Sequence, residues 1–189
     1  MSNFTAFLDA CVLYSGPLRD LLLELAVTDL YHAKWSDEVL EEWINKLLEN
    51  RPDLTRAQLD RTRALMNLHV RDALVKDFQS LVDILELPDK HDRHVLAAAI
   101  KGRADLIVTF NLKDFPPNEL ERWEIEAQHP DEFLVHQFHL NEPKFLEVVR
   151  TVRLRLSNPK MSVVDYLDML RTQGLLATVR AIEPFDQFI

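Results

Sequence analysis

Asp9 is a lone acid in the apolar run Phe4-Thr5-Ala6-Phe7-Leu8-Asp9-Ala10-Cys11-Val12-Leu13, which reads as a buried strand. An unpaired carboxylate is costly to bury, so it must find a partner or keep a proton. A second such acid is Asp92. On a helical wheel it shares the apolar stripe of Val95, Leu96 and Ala99, while Arg93, His94 and Lys101 lie away from it. Asp92 could also cap its helix. A third source of acid is Glu41-Glu42. The two glutamates flank the apolar face Val39, Leu40, Trp43, Ile44 and Leu47 on opposite sides, and periodicity does not choose between them. Glu42 could equally pair with Lys46 one turn on. The fourth is the segment after Leu106-Ile107-Val108-Thr109-Phe110, where Thr109, Asn111 and Asp114 follow an apolar strand. Several carboxylates in one place repel one another unless a cation neutralises them. An all-oxygen set favours Mg²⁺ or Mn²⁺ over zinc, and such a site suits metal-assisted phosphodiester hydrolysis.

These acids converge only if the elements place them at one sheet edge. Residues 4–9 predict a strand, 17–27 a helix with proline in its first turn, and Leu30 to Ala33 a short strand. Ser36 predicts an N-cap for a helix over 37–49, and Thr55 one for a helix over 56–69. Shorter helices are expected over 77–86 and from 92 to a glycine stop at Gly102. Asp105 to Phe110 reads as a strand, and Trp123 to Glu126 as a last edge strand. This alternation argues for an α/β fold with a mostly parallel sheet covered by helices on both faces. Such sheets place their chemistry at the carboxyl ends of the strands, where Asp9, Thr109, Asn111 and Asp114 all emerge. After Pro130 the pattern is helical only: Pro130 to His139, Glu142 to Leu156, Ser162 to Arg171 and a weak helix after Gly174, punctuated by Asn158-Pro159 and Gly174. The division expected is an α/β domain over 1–139 and a helical extension over 140–189.

Composition narrows the function further. A chain of 189 residues with 47% hydrophobic and 28% charged residues suits a soluble domain with a sizeable core. No apolar run reaches the roughly 18 residues of a membrane span, and no signal peptide is evident, so a cytoplasmic protein is expected. The net charge of −9 argues against an extended duplex-binding surface but not against a small site around bound metal. With only three glycines, far apart, no Gly-rich phosphate loop can form. There is no G-x-S-x-G elbow and no evident Ser-His-Asp or Cys-His set. The single cysteine, Cys11, excludes an internal disulfide and a cysteine-rich zinc site, and reads as packing. The i, i+3 pairs His91/His94 and His136/His139 read as surface residues, and Asp89 as a turn residue. Arg93 and Lys113 flank the acids and are candidates for phosphate contact. Arg150, Arg153 and Arg155 read as a solvated face.

At these acids the chain resembles the PIN domain nucleases, including toxins of the VapC type. Phe7-Leu8-Asp9-Ala10-Cys11-Val12-Leu13 looks like the opening strand with its metal-binding aspartate. Trp35-Ser36-Asp37-Glu38-Val39-Leu40-Glu41-Glu42-Trp43 is similar to the second motif, and that alignment selects Glu42. Leu87-Pro88-Asp89-Lys90-His91-Asp92-Arg93-His94-Val95-Leu96-Ala97-Ala98-Ala99 resembles the third motif, with Asp92 as its acid. Ile107-Val108-Thr109-Phe110-Asn111-Leu112-Lys113-Asp114-Phe115-Pro116 resembles the fourth. The resemblance covers about residues 4–139. It implies a three-layer α/β/α fold and a Mg²⁺- or Mn²⁺-dependent endoribonuclease. Asp9, Glu42, Asp92 and Asp114 would hold metal, with Thr109 and Asn111 in support. It also implies an RNA substrate, a small antitoxin partner of a toxin–antitoxin pair, and a homodimer or larger assembly. Asn111 stands where many relatives carry the fourth acid; either Asp114 serves instead or fewer carboxylates hold the metal. Two other readings compete. One is a non-catalytic PIN-fold module that binds RNA or protein. The other is a haloacid-dehalogenase-like phosphatase, which expects an aspartate where Cys11 stands.

Overall fold

The computed structural model describes residues 4–156 and 160–189; Asn158-Pro159 lies outside the described residues. Five strands form one all-parallel sheet: β1 (Thr5–Leu8), β2 (His32–Ser36), β3 (Leu74–Val75), β4 (Leu106–Val108) and β5 (Glu126–Gln128). Their order is β3-β2-β1-β4-β5. β1 sits at the centre, with Ala6, Phe7 and Leu8 fully buried. A strand buried on both faces is apolar without alternation, which is why Phe4 to Leu8 carries no period-two pattern. Parallel strands need crossovers, and α1 (Ala10–Tyr14), α2 (Gly16–Val27), α3 (Asp37–Asn50) and α4 (Arg56–His69) supply those towards β3. The short α5 (Gln79–Val82), α6 (Arg93–Lys101) and α7 (Pro117–Leu120) supply those towards β5. The chain reverses its direction of travel at β1, so right-handed crossovers put these two helix groups on opposite faces. The result is a three-layer α/β/α fold with C-terminal helices.

Local chemistry explains the helix starts. Ser36 accepts from the Val39 N–H at 3.2 Å, and Asp37 and Glu38 sit at the positive end of α3. Thr55 and Gln58 form a reciprocal capping box at α4. Four expectations shift. The run expected to stay extended through Leu13 stops at Leu8, because Asp9 accepts its own successor's N–H and caps α1. β2 begins at His32, not Leu30, since Asp29 turns the chain in a left-handed conformation (φ 58°). The final strand starts at Glu126, because Glu124, also left-handed (φ 56°), ends a 3₁₀ turn first. The helix expected over 77–86 contracts to α5, and the two-residue β3 before it carries no period to read. Gly102 ends α6 with an ordinary φ of −75°. Its glycine is a matter of space, since a Cβ there would stand 2.9 Å from Val75 Cγ2 and 3.1 Å from the Ala98 carbonyl oxygen.

The C-terminal helices are α8 (Pro130–Leu140), α9 (Glu142–Arg155), α10 (Val163–Thr172) and α11 (Leu176–Ile182). α9 packs on α2 and buries Phe145, Val148, Val149 and Val152. Arg155 joins Glu24 of α2 at 2.5 Å, and Lys144 reaches the Thr28 carbonyl. α11 has no cap of its own. Asp131 of α8 supplies one, accepting from Ala177 N–H at 2.8 Å, Thr178 N–H at 2.7 Å and Thr178 Oγ1 at 2.7 Å. Hydrogen bonds to a charged acceptor contribute about 1.5–3 kcal/mol. Asp131→Ala should therefore lower stability by about 2 kcal/mol, seen as a fall of about 4–8 °C in the thermal midpoint. An unchanged melt would show that the three contacts do not hold α11 in solution.

Candidate active site

The sheet reverses strand order between β1 and β4, and open α/β sheets bind ligands at that switch point. Leu8 stands opposite Val108, so Asp9 and Thr109 leave the sheet side by side. Asp9 is 5% exposed and fully satisfied. Its Oδ1 accepts the Ala10 N–H at 2.7 Å. Its Oδ2 accepts Thr109 Oγ1 at 2.7 Å and Cys11 Sγ at 3.1 Å. Thr109 Oγ1 accepts in turn from the Asn111 N–H at 3.0 Å, and Cys11 Sγ from the Phe110 N–H at 3.3 Å. Thr109 and Cys11 thus pin the carboxylate from β4 and α1. Burial and the adjacent Asp9 charge push the Cys11 thiol up to about 12, so it stays protonated and donates.

Asp9, Glu42, Asp92 and Asn111 line one open cleft of about 590 Å³ with Ala10, Cys11, Tyr14, Trp43, Lys46 and Asn50. A cleft of about 670 Å³ at the opposite sheet edge is larger. Its acids, Asp29 and Asp72, stand among Lys34, Arg71 and Arg103, so it gathers no carboxylate excess. The choice between Glu41 and Glu42 is visible in the packing of α3 on α4. Arg56 grips Glu41 with two bonds of 2.7 Å and Arg63 adds one of 3.3 Å. These arginines hold the Glu41 carboxyl below its usual range. Glu42 faces the cleft instead, and Lys46 pairs with Glu49 at 3.2 Å rather than with Glu42.

Asp92 occupies the N-cap position of α6 but makes no capping bond. Asp89 does the capping, accepting the His91 N–H at 2.8 Å at the start of the 3₁₀ turn Lys90–Asp92. That frees the Asp92 carboxyl for the cleft. Burial raises its pKa to about 6, with the charges of Asp9, Asp89 and Asp114 adding to the rise. Asp114 lies half-buried on the 3₁₀ turn Leu112–Asp114 beside the cleft, near enough to act on Asp92 without lining the pocket. Arg93 and Lys113 do not line the cleft; Lys46 is the cation that does.

His94 departs from the surface role expected of it. It is 15% exposed in its side chain, and its Nε2 lies 2.8 Å from Glu42 Oε1. Burial opposes its charge, but Glu42, with Asp9 and Glu38 behind it, outweighs that and raises its pKa. A wheel drawn for α6 alone placed His94 off the core face and could not see α3 alongside. His91, His136 and His139 are exposed, as expected. Tyr14, Lys46 and Asn50 were also missed. The spacing of Glu42, Lys46 and Asn50 at i, i+4 and i+8 was the available signal.

Among the described residues no three His, Cys, Asp or Glu side chains form a ready-made metal-ligating group. Asp9 is engaged by Thr109 and Cys11, and Glu42 by His94. The donor set nevertheless suits a hard cation in kind. Its reachable groups are oxygens, and the charges of Asp9, Asp89 and Asp114 add to the rise that burial imposes on Asp92.

A PIN domain model matches residues 5–113. The chain belongs to the PIN domain family. A second model, the VapC50 C-terminal domain, matches residues 130–184. Over 93 residues the chain is 40% identical to the "Putative ribonuclease VapC50" of Mycobacterium tuberculosis (strain ATCC 25618 / H37Rv). That alignment covers 48% of this chain and 55%, about half, of the relative's length. No solved structure matches the chain.

The raised Asp92 pKa has a consequence for stability. At pH values below its ordinary value of 3.8, Asp92 is protonated in the folded and unfolded chain alike. Between 3.8 and about 6 the folded chain keeps a proton that the unfolded chain gives up. Stability therefore falls as pH rises through this window and stays lowered above it. Asp92→Asn should remove this decline. Discounted for the half-exposed setting, the gain at pH 7.5 is about 1 kcal/mol, or about 2–4 °C in the thermal midpoint. The two proteins should melt alike below pH 4. A variant less stable than wild type at pH 7.5 would refute the crowded-acid reading.

Proposed function

We propose that this PIN domain is a divalent-cation-dependent endoribonuclease, the toxin of a toxin–antitoxin pair. The observation that carries the reading is the meeting of Asp9, Glu42 and Asp92, from three separate elements, in one cleft at the sheet's switch point. The resemblance to a protein described as a ribonuclease supports it. Asp9, Glu42, Asp92 and Asp114 are the residues we assign to hold Mg²⁺ or Mn²⁺. A phosphodiester is anionic, and an acidic cleft repels it until its charge is neutralised. A divalent ion held by these residues would supply that neutralisation, polarise a phosphoryl oxygen and lower the pKa of water so that hydroxide is available to attack.

The chain's own contribution is placement. Thr109 and Cys11 fix the Asp9 carboxylate, Asn111 ties the Thr109 hydroxyl to the following loop, and His94 orients Glu42. Hydrolysis forms a P–O bond to the attacking water oxygen and breaks the bond to the leaving ribose oxygen, which takes up a proton. Arg93 and Lys113, outside the cleft wall, would act only on more distant phosphates. Residues 1–139 are assigned to the nuclease and 140–189 to a helical extension. The partner is a small antitoxin protein, the assembly a homodimer or larger, and the setting the cytoplasm. Among the described residues no helix is long and apolar enough to cross a membrane.

The purified chain should cut single-stranded RNA with Mg²⁺ or Mn²⁺ and stop on addition of a chelator. Asp9→Asn and Asp92→Asn should each lower the single-turnover rate by at least roughly 100-fold, the scale of losing one electrostatic contact to the transition state. Unchanged cleavage by both variants would overturn the assignment. Asn111 in the cleft, where many relatives carry an acid, favours one alternative: a PIN fold that binds RNA or protein without cutting. Calorimetry showing RNA or protein binding but no divalent-ion binding would select it.

A further inference from the structure

α1 and α3 flank the cleft and pack against each other. Along α3, Glu42, Lys46 and Asn50 recur every fourth residue and all line the cleft. Eight residues of helix advance about 12 Å, so this wall runs from an acid through a cation to an amide. Along α1, the chain goes from Asp9 at the N-cap to Tyr14 at the last turn, about 7 Å on. Both walls therefore begin at the proposed cation site and end in groups of a different kind. Tyr14 is part-exposed and sits near enough to Arg51 to act on its charge. Asn50 Nδ2 donates to the Lys46 carbonyl at 2.9 Å, which steadies the amide and leaves Oδ1 and a second N–H for a ligand. Among the described residues the Lys46 ammonium pairs with exposed Glu49, so it can turn to another anion. Trp43, between Glu42 and Lys46 in sequence, is buried under the Arg19 guanidinium, 5.0 Å from the ring centroid, which stiffens the floor.

We propose that the Tyr14–Asn50 end of the cleft is a nucleobase subsite for single-stranded RNA. Tyr14 stacks on an unpaired base, Asn50 bonds to the base edge, and Lys46 takes the phosphate between that base and the acids. An aromatic face, an amide with free donor and acceptor, and a mobile ammonium are the groups that recognise a single-stranded nucleotide. A duplex, with its bases stacked, could not offer one to Tyr14. This subsite rests on the ribonuclease reading, which supplies the RNA.

The test is a fluorescence titration of a single-stranded RNA decamer carrying one 2-aminopurine, with Ca²⁺ in place of Mn²⁺ so that the acids are neutralised while cutting is slow, beside a cleavage assay with Mn²⁺. Wild type and Tyr14→Phe should bind alike and quench the fluorophore. Tyr14→Ala should bind roughly 5- to 150-fold more weakly, the range for losing one stacked base, and lose the quenching. Its KM should rise with kcat held within about two-fold. Exposed Asn50→Ala, which removes no packing, should weaken binding while keeping the quench. Equal binding and quenching by wild type and Tyr14→Ala would overturn the subsite even where cleavage is normal. Binding and quenching that depend on Tyr14, without any cleavage, would uphold the subsite and fail the nuclease reading. No RNA binding by wild type would overturn both.

Discussion

The hydrogen bond from Thr109 to the buried Asp9 carboxylate ties this molecule's chemistry to its fold. It joins the ends of β1 and β4, the two strands between which the sheet changes direction. Both residues are buried, so the bond satisfies each where water does not reach, alongside the Ala10 N–H and Cys11 Sγ on Asp9 and the Asn111 N–H on Thr109. The pair is sustained by the register that sets Leu8 opposite Val108. A slip of one residue would send every side chain of β1 to the wrong face. The same register places Asp9 where it can cap α1, so strand end, helix start and carboxylate orientation are fixed together.

The remaining acids are arranged around that fixed point by helices with caps of their own. Ser36 starts α3, and the arginines of α4 draw Glu41 away from the cleft. Asp89 caps the turn before α6 and relieves Asp92 of that duty. The raised pKa of Asp92 is the cost of burying a carboxyl and of bringing like charges near it. A group destabilised in the folded state, with partners already in place, is typical of a site shaped for something other than stability.

Much of this was legible in the sequence because the signals were local. A charge in an apolar run marked Asp9, a charge on an apolar stripe marked Asp92, and Ser36 and Thr55 announced their helices. Alternation pointed to a mostly parallel sheet, and every pairing in it is parallel. What escaped reading depended on neighbours distant in sequence. The two-residue β3 has no period, and β2 begins after a left-handed Asp29 that no hydrophobic pattern announces. His94 looked like a surface residue because its partner lies on another helix. Periodicity left Glu41 and Glu42 symmetric about their own helix, and the choice of Glu42 came from the family motif; in the fold α4 breaks that symmetry.

The charge of the chain takes on a different meaning at the scale of the cleft. A net −9 argues against wrapping a polyanion. Yet along α3 the lining residues pass from Glu42 to Lys46 to Asn50, and Arg51 follows beside Tyr14. Acid lines the cleft at the strand ends, where a cation would be needed, and the lining gives way about 12 Å along the helix to the Asn50 amide, with Lys46 and Arg51 paired to Glu49 and Asp53. Overall charge averages over this segregation and conceals it. A cleft graded in this way would attract a single strand through a few local contacts and repel it elsewhere, so binding would favour one short stretch of chain over long coverage. The acidic exterior is then compatible with the proposed activity on RNA, because it discourages every mode of contact except entry into the groove between α1 and α3.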